Sequence, residues 1–239
     1  MKNVFVLALC LIAVVAQPGP TFAANYSLTG VDLMYGRHYH LGAPVQSTLT
    51  FNHFSTWEYG DNFLFVDVAH SNQGGTSVYG EFHPRFSISK ISGRNLSHGV
   101  LKDVAVAGTL EFGEGLFNRL YGVGFDLDVP KFSFFNVNLY VRDNPDLHGQ
   151  TYQITPYWAL PFKIGKAHFS FEGFVDIAGG EGASSRNILA QPKLLYDVGA
   201  GMGVPNRIMV GIEYAYWKNK YGVKGVTDSF PQFMVRWNF

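Results

Sequence analysis

The chain closes on Phe233-Met234-Val235-Arg236-Trp237-Asn238-Phe239, with an apolar or aromatic residue at every second position. In a strand, alternate side chains point to opposite faces, so this end is greasy on one side and mostly polar on the other. It stops on an aromatic residue in mid-strand. A sheet that closes its last strand against its first, with an apolar face toward lipid, has a use for such an end. An ordinary edge strand of a soluble sheet is the plainer alternative.

The other end of the chain reads as an export signal. Lys2 precedes a continuous apolar run from Val4 to Ala16, too short for a membrane-spanning helix, which needs about 20 residues. Thr21-Phe22-Ala23 places small residues at the −3 and −1 positions of a cleavage site after Ala23. The expected division is therefore 1–23 signal peptide and 24–239 mature domain. Cys10 lies inside the apolar run behind the large Leu9, a poor setting for a lipoprotein site. It is the only cysteine, so the mature domain has no disulfide framework or thiolate metal site. Without Lys2, 18 − 1 = 17 basic residues face 18 acidic ones, which gives no basic footprint for nucleic acid.

No second apolar run approaches the length of a spanning helix. Yet 47% of the chain is hydrophobic and 16% aromatic, while charged residues make up only 15%, against the roughly 25% usual in soluble domains. That combination suits an all-β, transmembrane antiparallel β-barrel, whose strands each show lipid only half their side chains. Turn residues divide the mature chain into twelve candidate strands: 27–36, 46–56, 62–70, 78–89, 101–112, 119–128, 132–142, 151–162, 167–177, 187–198, 207–217 and 229–239. An even count puts both ends on the periplasmic side. The breaks 128–131 and 163–166 then read as short periplasmic turns, and 178–186 and 218–228 as longer outer loops; 90–100 is long for its parity. Tyr152, Tyr214, Tyr216, Trp217, Trp237 and Phe239 cluster at strand ends, where an amphipathic ring suits the lipid–water boundary. No internal repeat or linker divides the chain.

Alternation assigns the polar faces to an interior. By parity that interior holds Glu81, Arg85, Asp103, Glu111, Asp126, Arg142, Glu172, Asp176, Lys193, Asp197, Glu213 and Arg236, with Phe134, Tyr140 and Tyr157 among them. Aromatic faces can stack a planar base, and charged or amide groups can bind hydroxyls. The same charges could instead pair and merely fill the space.

One segment is more specific. Glu81-Phe82-His83-Pro84-Arg85-Phe86-Ser87-Ile88-Ser89-Lys90 resembles the E-x-x-P-R-F-S-I-x-K stretch of the nucleoside-specific channel family, the Tsx-like porins, which includes the OmpK-type phage receptors. Asn95-Leu96-Ser97, Gly99 and Lys102-Asp103 continue the resemblance loosely, and the motif covers about a tenth of the chain. The final Trp237-Asn238-Phe239 resembles the C-terminal signature of bacterial outer-membrane proteins, which implies the barrel-assembly machinery as a partner through Phe239. The family resemblance implies a monomeric outer-membrane channel that passes nucleosides by diffusion, with no cofactor, no metal and no catalytic residue. Glu81, His83, Arg85, Asp103, Asp126, Tyr140, Tyr157 and Glu172 are the expected lumen or substrate-binding residues. Within the motif, Glu81, His83, Arg85, Ser87 and Ser89 are expected to face the lumen, and Pro84, which donates no ladder bond, to mark a bulge or strand irregularity. The motif could equally serve folding.

Four other readings compete. A closed structural or adhesion barrel would use its outer loops to bind a surface partner or a phage. A lipid hydrolase would need a same-face His-x-Ser pair, but His70 and Ser71 are adjacent and point to opposite faces. In His38-Tyr39-His40 the two histidines have metal-pair spacing without a third ligand and read as exposed loop histidines. Gly199–Gly203 reads as a turn rather than a nucleotide loop.

Overall fold

The computed structural model describes residues 24–239; the expected signal peptide and its cleavage site lie outside them. The strands are β1 (Tyr26–Arg37), β2 (Val45–Trp57), β3 (Gly60–Ser71), β4 (Gly75–Ser87), β5 (Leu101–Gly113), β6 (Leu116–Leu127), β7 (Phe134–Asp143), β8 (Thr151–Ile164), β9 (Ala167–Ala178), β10 (Asn187–Ala190), β11 (Lys193–Asp197), β12 (Ile208–Lys218) and β13 (Thr227–Asn238). Each pairs antiparallel with its neighbours, and β13 closes on β1, with Leu33 opposite Val235. β10 and β11 are halves of one wall strand: both lie between β9 and β12 in an unbroken register. The thirteen segments thus make 13 − 1 = 12 wall strands. A closed sheet is the form in which strands satisfy every backbone group inside a bilayer.

The apolar face points out. Trp237 is 56% exposed, and Leu33, Leu49, Val106, Phe171, Ile212 and Phe233 are exposed on the same outer surface. Their strand neighbours Asp32, Thr50, Glu111 and Glu213 are buried, Glu213 at 2%. This is the reverse of a soluble sandwich and identifies the outer face as the lipid-facing one.

The register fixes the dimensions. Followed from strand to strand, the pairing runs Asp32, Thr50, Asp67, Tyr79, Gly113, Leu116 and, extended through the later registers, returns to β1 at Thr48. It climbs 48 − 32 = 16 residues per circuit. For twelve strands that shear sets a tilt of roughly 40° and a backbone radius of roughly 12–13 Å. The interior is wide enough that side chains line it without having to fill it.

Several sequence expectations change. The fourth strand ends at Ser87, not at 89, and Ile88–Ser92 forms a short helix, α1, so Ser89 leaves the lumen face. Ser87 caps it, accepting from Lys90 N at 3.1 Å, and Gly93 ends it in the left-handed region. This helix opens the break that is long for its parity, and residues 93–100 complete it without helix or strand. Pro84 marks a strand irregularity, one of its two expected outcomes, and not a bulge: β3 pairs through it, while β4–β5 pairing lapses at His83 and Pro84 without a change of register. The loop-length asymmetry is also weak. Outer turns 72–74 and 114–115 are as tight as inner turns 58–59 and 165–166, while inner segment 198–207 is long. It begins with a helical turn, α2 (Val198–Gly201), where a plain turn was expected. Finally, the tenth wall strand breaks at Gln191-Pro192. Gly173 opposite it is what allows the backbones this close, since a Cβ there would lie 2.5 Å from the Gln191 carbonyl oxygen.

Candidate functional site: the lumen wall

All eight expected residues face inward by register, and the structure joins most of them on one wall. On β4, Arg85 reaches back to Asp61 of β3, 3.2 Å away, and forward across β5 to Asp126 of β6. It can lie flat because its partner on β5 is Ala107 and because β6 offers Gly124, where a Cβ would fall 3.0 Å from Arg85 Nη2. The guanidinium also stands 5.9 Å from the ring of Tyr157 on β8, whose hydroxyl accepts from Asn136 Nδ2 at 3.1 Å. Above this group runs a chain of hydrogen bonds. Tyr79 donates to Glu81 (2.5 Å), Glu81 meets His83 Nε2 (2.9 Å), and His83 Nδ1 meets the Thr109 hydroxyl (2.9 Å). Thr109 donates to the Tyr140 hydroxyl at 3.3 Å, which Asn138 Nδ2 also reaches at 2.8 Å. Arg142 adds a bidentate pair with Glu111 two strands away.

Two expected residues stand apart. Asp103 lies at the end holding the termini and is tied to the α1 turn, accepting from Val104 N (2.8 Å), Ser89 N (3.3 Å) and the Ser87 hydroxyl. Glu172 belongs to the other wall, paired with Arg236 of β13. Arg236 also holds Asp32 of β1 through Nε (2.7 Å) and Nη2 (2.9 Å), and Lys193 holds Glu213 at 3.2 Å. Met34, Leu195, Met209 and Met234 form a buried apolar pad on this wall.

Sequence reasoning missed the inward aromatics of β3. Phe63 and Phe65 point into the lumen opposite His83 and Glu81, with Phe65 stacked on the His83 ring at 6.3 Å. The stretch Phe63-Leu64-Phe65-Val66 is apolar on both faces, so alternation gives no sign of it. It also missed Asp32, Asp61, Asp67 and Asp228, each of which is inward by register.

These bonds run along the wall rather than across it. Among the described residues, no side-chain hydrogen bond or ion pair joins strands more than three steps apart round the circuit. At the end with the termini lies a cavity of about 550 Å³, lined by Tyr26, Lys163, His168, Ser170, Glu172 and Arg236 among others.

The outer end is built differently. Tyr39, between the two loop histidines, turns inward onto Phe230 and hydrogen-bonds Gln232. Lys220 is 3% exposed, bonded to Asp228 at 2.6 Å, with its ammonium 5.2–5.6 Å from the ring centres of Tyr39, Trp217 and Tyr221. His40 bonds the same Asp228 through its main chain (2.9 Å) and its ring (2.8 Å). Burial, then the nearby Glu213 and Asp228 carboxylates, pushes the Tyr39 hydroxyl well above its ordinary range.

No group of three metal-ligating side chains occurs among the described residues. His70 bonds Thr76 on the exposed surface, whereas Ser71 is buried and caps a turn through Gln73 N and Gly74 N. The two do not form a nucleophile–base pair.

A closed barrel, greasy outside and charged within, defines an outer-membrane channel for small solutes. The chain belongs to the nucleoside-specific channel-forming Tsx family, whose model matches residues 24–235. Two relatives are outer membrane proteins OmpK of Vibrio parahaemolyticus. One is 28% identical over 72% of this chain and 67% of its own length. The other, from serotype O3:K6, is 26% identical over 91% of both. Among solved structures, the KdgM porin superposes at a TM-score of 0.50 and 13% identity, covering 88% of this chain and 99% of its own. The NanC porin does so at 0.51 and 12%, covering 89% and 98%. At such identities these two speak for the fold.

Proposed function

We propose that the barrel passes nucleosides by facilitated diffusion, without energy coupling. The observation that carries this reading is the wall formed by β3, β4 and β8. There, inward rings (Phe63, Phe65, His83, Tyr157) stand beside carboxylates and amides held in three neighbouring hydrogen-bonded groups, Tyr79 to Asn138, Asp61–Arg85–Asp126 and Asn136–Tyr157. A base can stack on such rings while its ribose hydroxyls exchange bonds with Glu81, Asp61 or Asn138, and weak sites of this kind admit and release solute. The motif thus has two roles: its first half, Glu81, His83 and Arg85, supplies wall groups, and its second half, Ser87 to Lys90, caps a turn.

Planar-bilayer recording tests this. Stepwise single-channel current is expected, reduced by added adenosine or uridine. Phe65→Ala and Arg85→Ala are expected to weaken that block by about tenfold each while the barrel still folds, since a stacked base is worth ~1–3 kcal/mol. Current that ignores nucleosides at millimolar concentration would remove the nucleoside reading. A protein that never conducts would favour the second reading, a closed surface or phage receptor, which draws on the outer loops pinned around Lys220. A monomer delivered by a cleaved signal peptide and recognised by the barrel-assembly machinery completes the proposal. Phe239, whose N–H bonds the Thr29 carbonyl at 3.0 Å, keeps its ring exposed for that recognition.

A further inference from the structure

The lumen carries more negative charge than its ion pairs consume. Inward carboxylates outnumber inward lysines and arginines about two to one, with Lys163 at the end holding the termini counted among the cations. Most have a cationic partner: Arg85, Arg142, Lys193, Lys220, Arg236 and His83 account for them. Asp103 and Asp197 are bound by backbone N–H groups at the inner turns. Two remain. Asp67 accepts only from the Thr50 hydroxyl (2.5 Å), and Asp176 only from Thr155 (2.6 Å) and Gln153 (3.0 Å). In each case the bonds fall on Oδ1. The Oδ2 atoms make none and are not enclosed.

These two acids face each other. β3 and β9 are six wall strands apart, half the circuit, and half of the 16-residue climb is 8 residues. The row of pairs leaving Asp67 through Tyr79, Gly113 and Leu116 reaches position 184 on the line of β9, and 184 − 8 = 176. Asp67 and Asp176 therefore stand at one level on opposite walls. One inward step toward the termini, each strand carries a phenylalanine, Phe65 and Phe174, which makes the surroundings less polar and the field less screened. The wall is also irregular beside Asp176. β8–β9 pairing lapses at 155–156 and 175–176, and Gln191 N turns to the Phe174 carbonyl at 3.1 Å across the break in the tenth strand. Such irregularities recur where a wall re-aims a side chain.

We propose that Asp67 and Asp176 form the charge-selecting step of the lumen: it favours cations, admits neutral solutes rich in hydrogen-bond donors, and rejects anions. Each carboxylate has already been brought into place by neutral donors, and neither makes an ion pair with a fixed cation. The pair acts on the passing ion from both sides at once. This rests on the channel reading above and adds the charge class of what passes.

Reversal potentials in planar bilayers under a tenfold KCl gradient at pH 8 test it. Wild-type channels are expected to prefer K⁺ over Cl⁻ by about threefold or more. In Asp67→Asn/Asp176→Asn, a change that keeps shape and hydrogen bonding, the ratio is expected to fall toward one while stepwise current persists. A wild-type ratio at or below one overturns the proposal by itself, whether or not the variant folds. A ratio unchanged in a conducting double variant overturns it too. Absence of any current ends the channel reading and this one together; current without cation preference ends only this one.

Discussion

The two ends of the barrel are each fastened by buried carboxylates, but by different means. At the end with the termini, Asp197 accepts from Ala200 N (3.0 Å) and Asn206 N (2.8 Å), and Asp103 accepts from Ser89 N and Val104 N. These are caps between near neighbours in sequence, made as the turn forms. At the outer end, Asp228 joins Lys220 in one loop to His40 in another, 188 residues away. Positive φ at non-glycine residues occurs at both ends, at His38, Leu41, Asn219 and Tyr221 in the outer loops and at Lys131 and Asn206 in the inner turns. Local caps hold a frame, whereas a long-range latch holds loops that can open separately from the wall.

The largest expected effect falls on the latch. Asp228→Ala leaves Lys220 buried without its carboxylate, a loss of about 3–5 kcal/mol for a broken buried pair. If the ends differ as described, limited proteolysis will cut within 38–44 or 219–226, while the heat-modifiable migration of the barrel on gels shifts little. Asp197→Ala should do the opposite: about 1–2 kcal/mol lost, read as a lower temperature for the whole barrel's transition, with the outer loops still protected. Equal behaviour of the two variants would erase the distinction. The smallest effect is Tyr39→Phe, about 1 kcal/mol from the bond to Gln232. Because the folded loop raises the Tyr39 hydroxyl above its ordinary range, its contribution is complete below about pH 10 and is lost as pH rises through the raised value. Outer-loop cleavage in the wild type should therefore increase in strong alkali, and that increase should shrink in Tyr39→Phe.

The wall was far more legible in sequence than these ends. Alternation such as Val104, Val106, Leu110 and Phe112 against Asp103, Thr109 and Glu111 depends only on a period of two, and the structure keeps it. So it placed the inward side chains of most strands. It failed where both faces are apolar, as at Phe63 and Phe65, because nothing in the pattern tells lipid from lumen. It also could not pair charges. Arg85 meets Asp126 only because register, strand order and the space at Ala107 and Gly124 bring them together. The helical turn after Ser87 was hidden by a motif that alternates on past the strand's end. Nothing in the sequence marked the inward turn of Tyr39, because only the folded return of β13 supplies Phe230 and Gln232 to receive it.

The climb of the register has a last implication for how such a cylinder can change size. With a dozen staves and this pitch, half a revolution offsets the staircase by a whole, even number of steps, so an inward acid on one stave looks straight at an inward acid on the opposite one. Adding or deleting a single hairpin alters both the stave count and the pitch. Residues that were antipodal would slide past each other or rotate toward lipid. A relative with a different number of hairpins would need to rebuild its charge gate at new positions rather than inherit it.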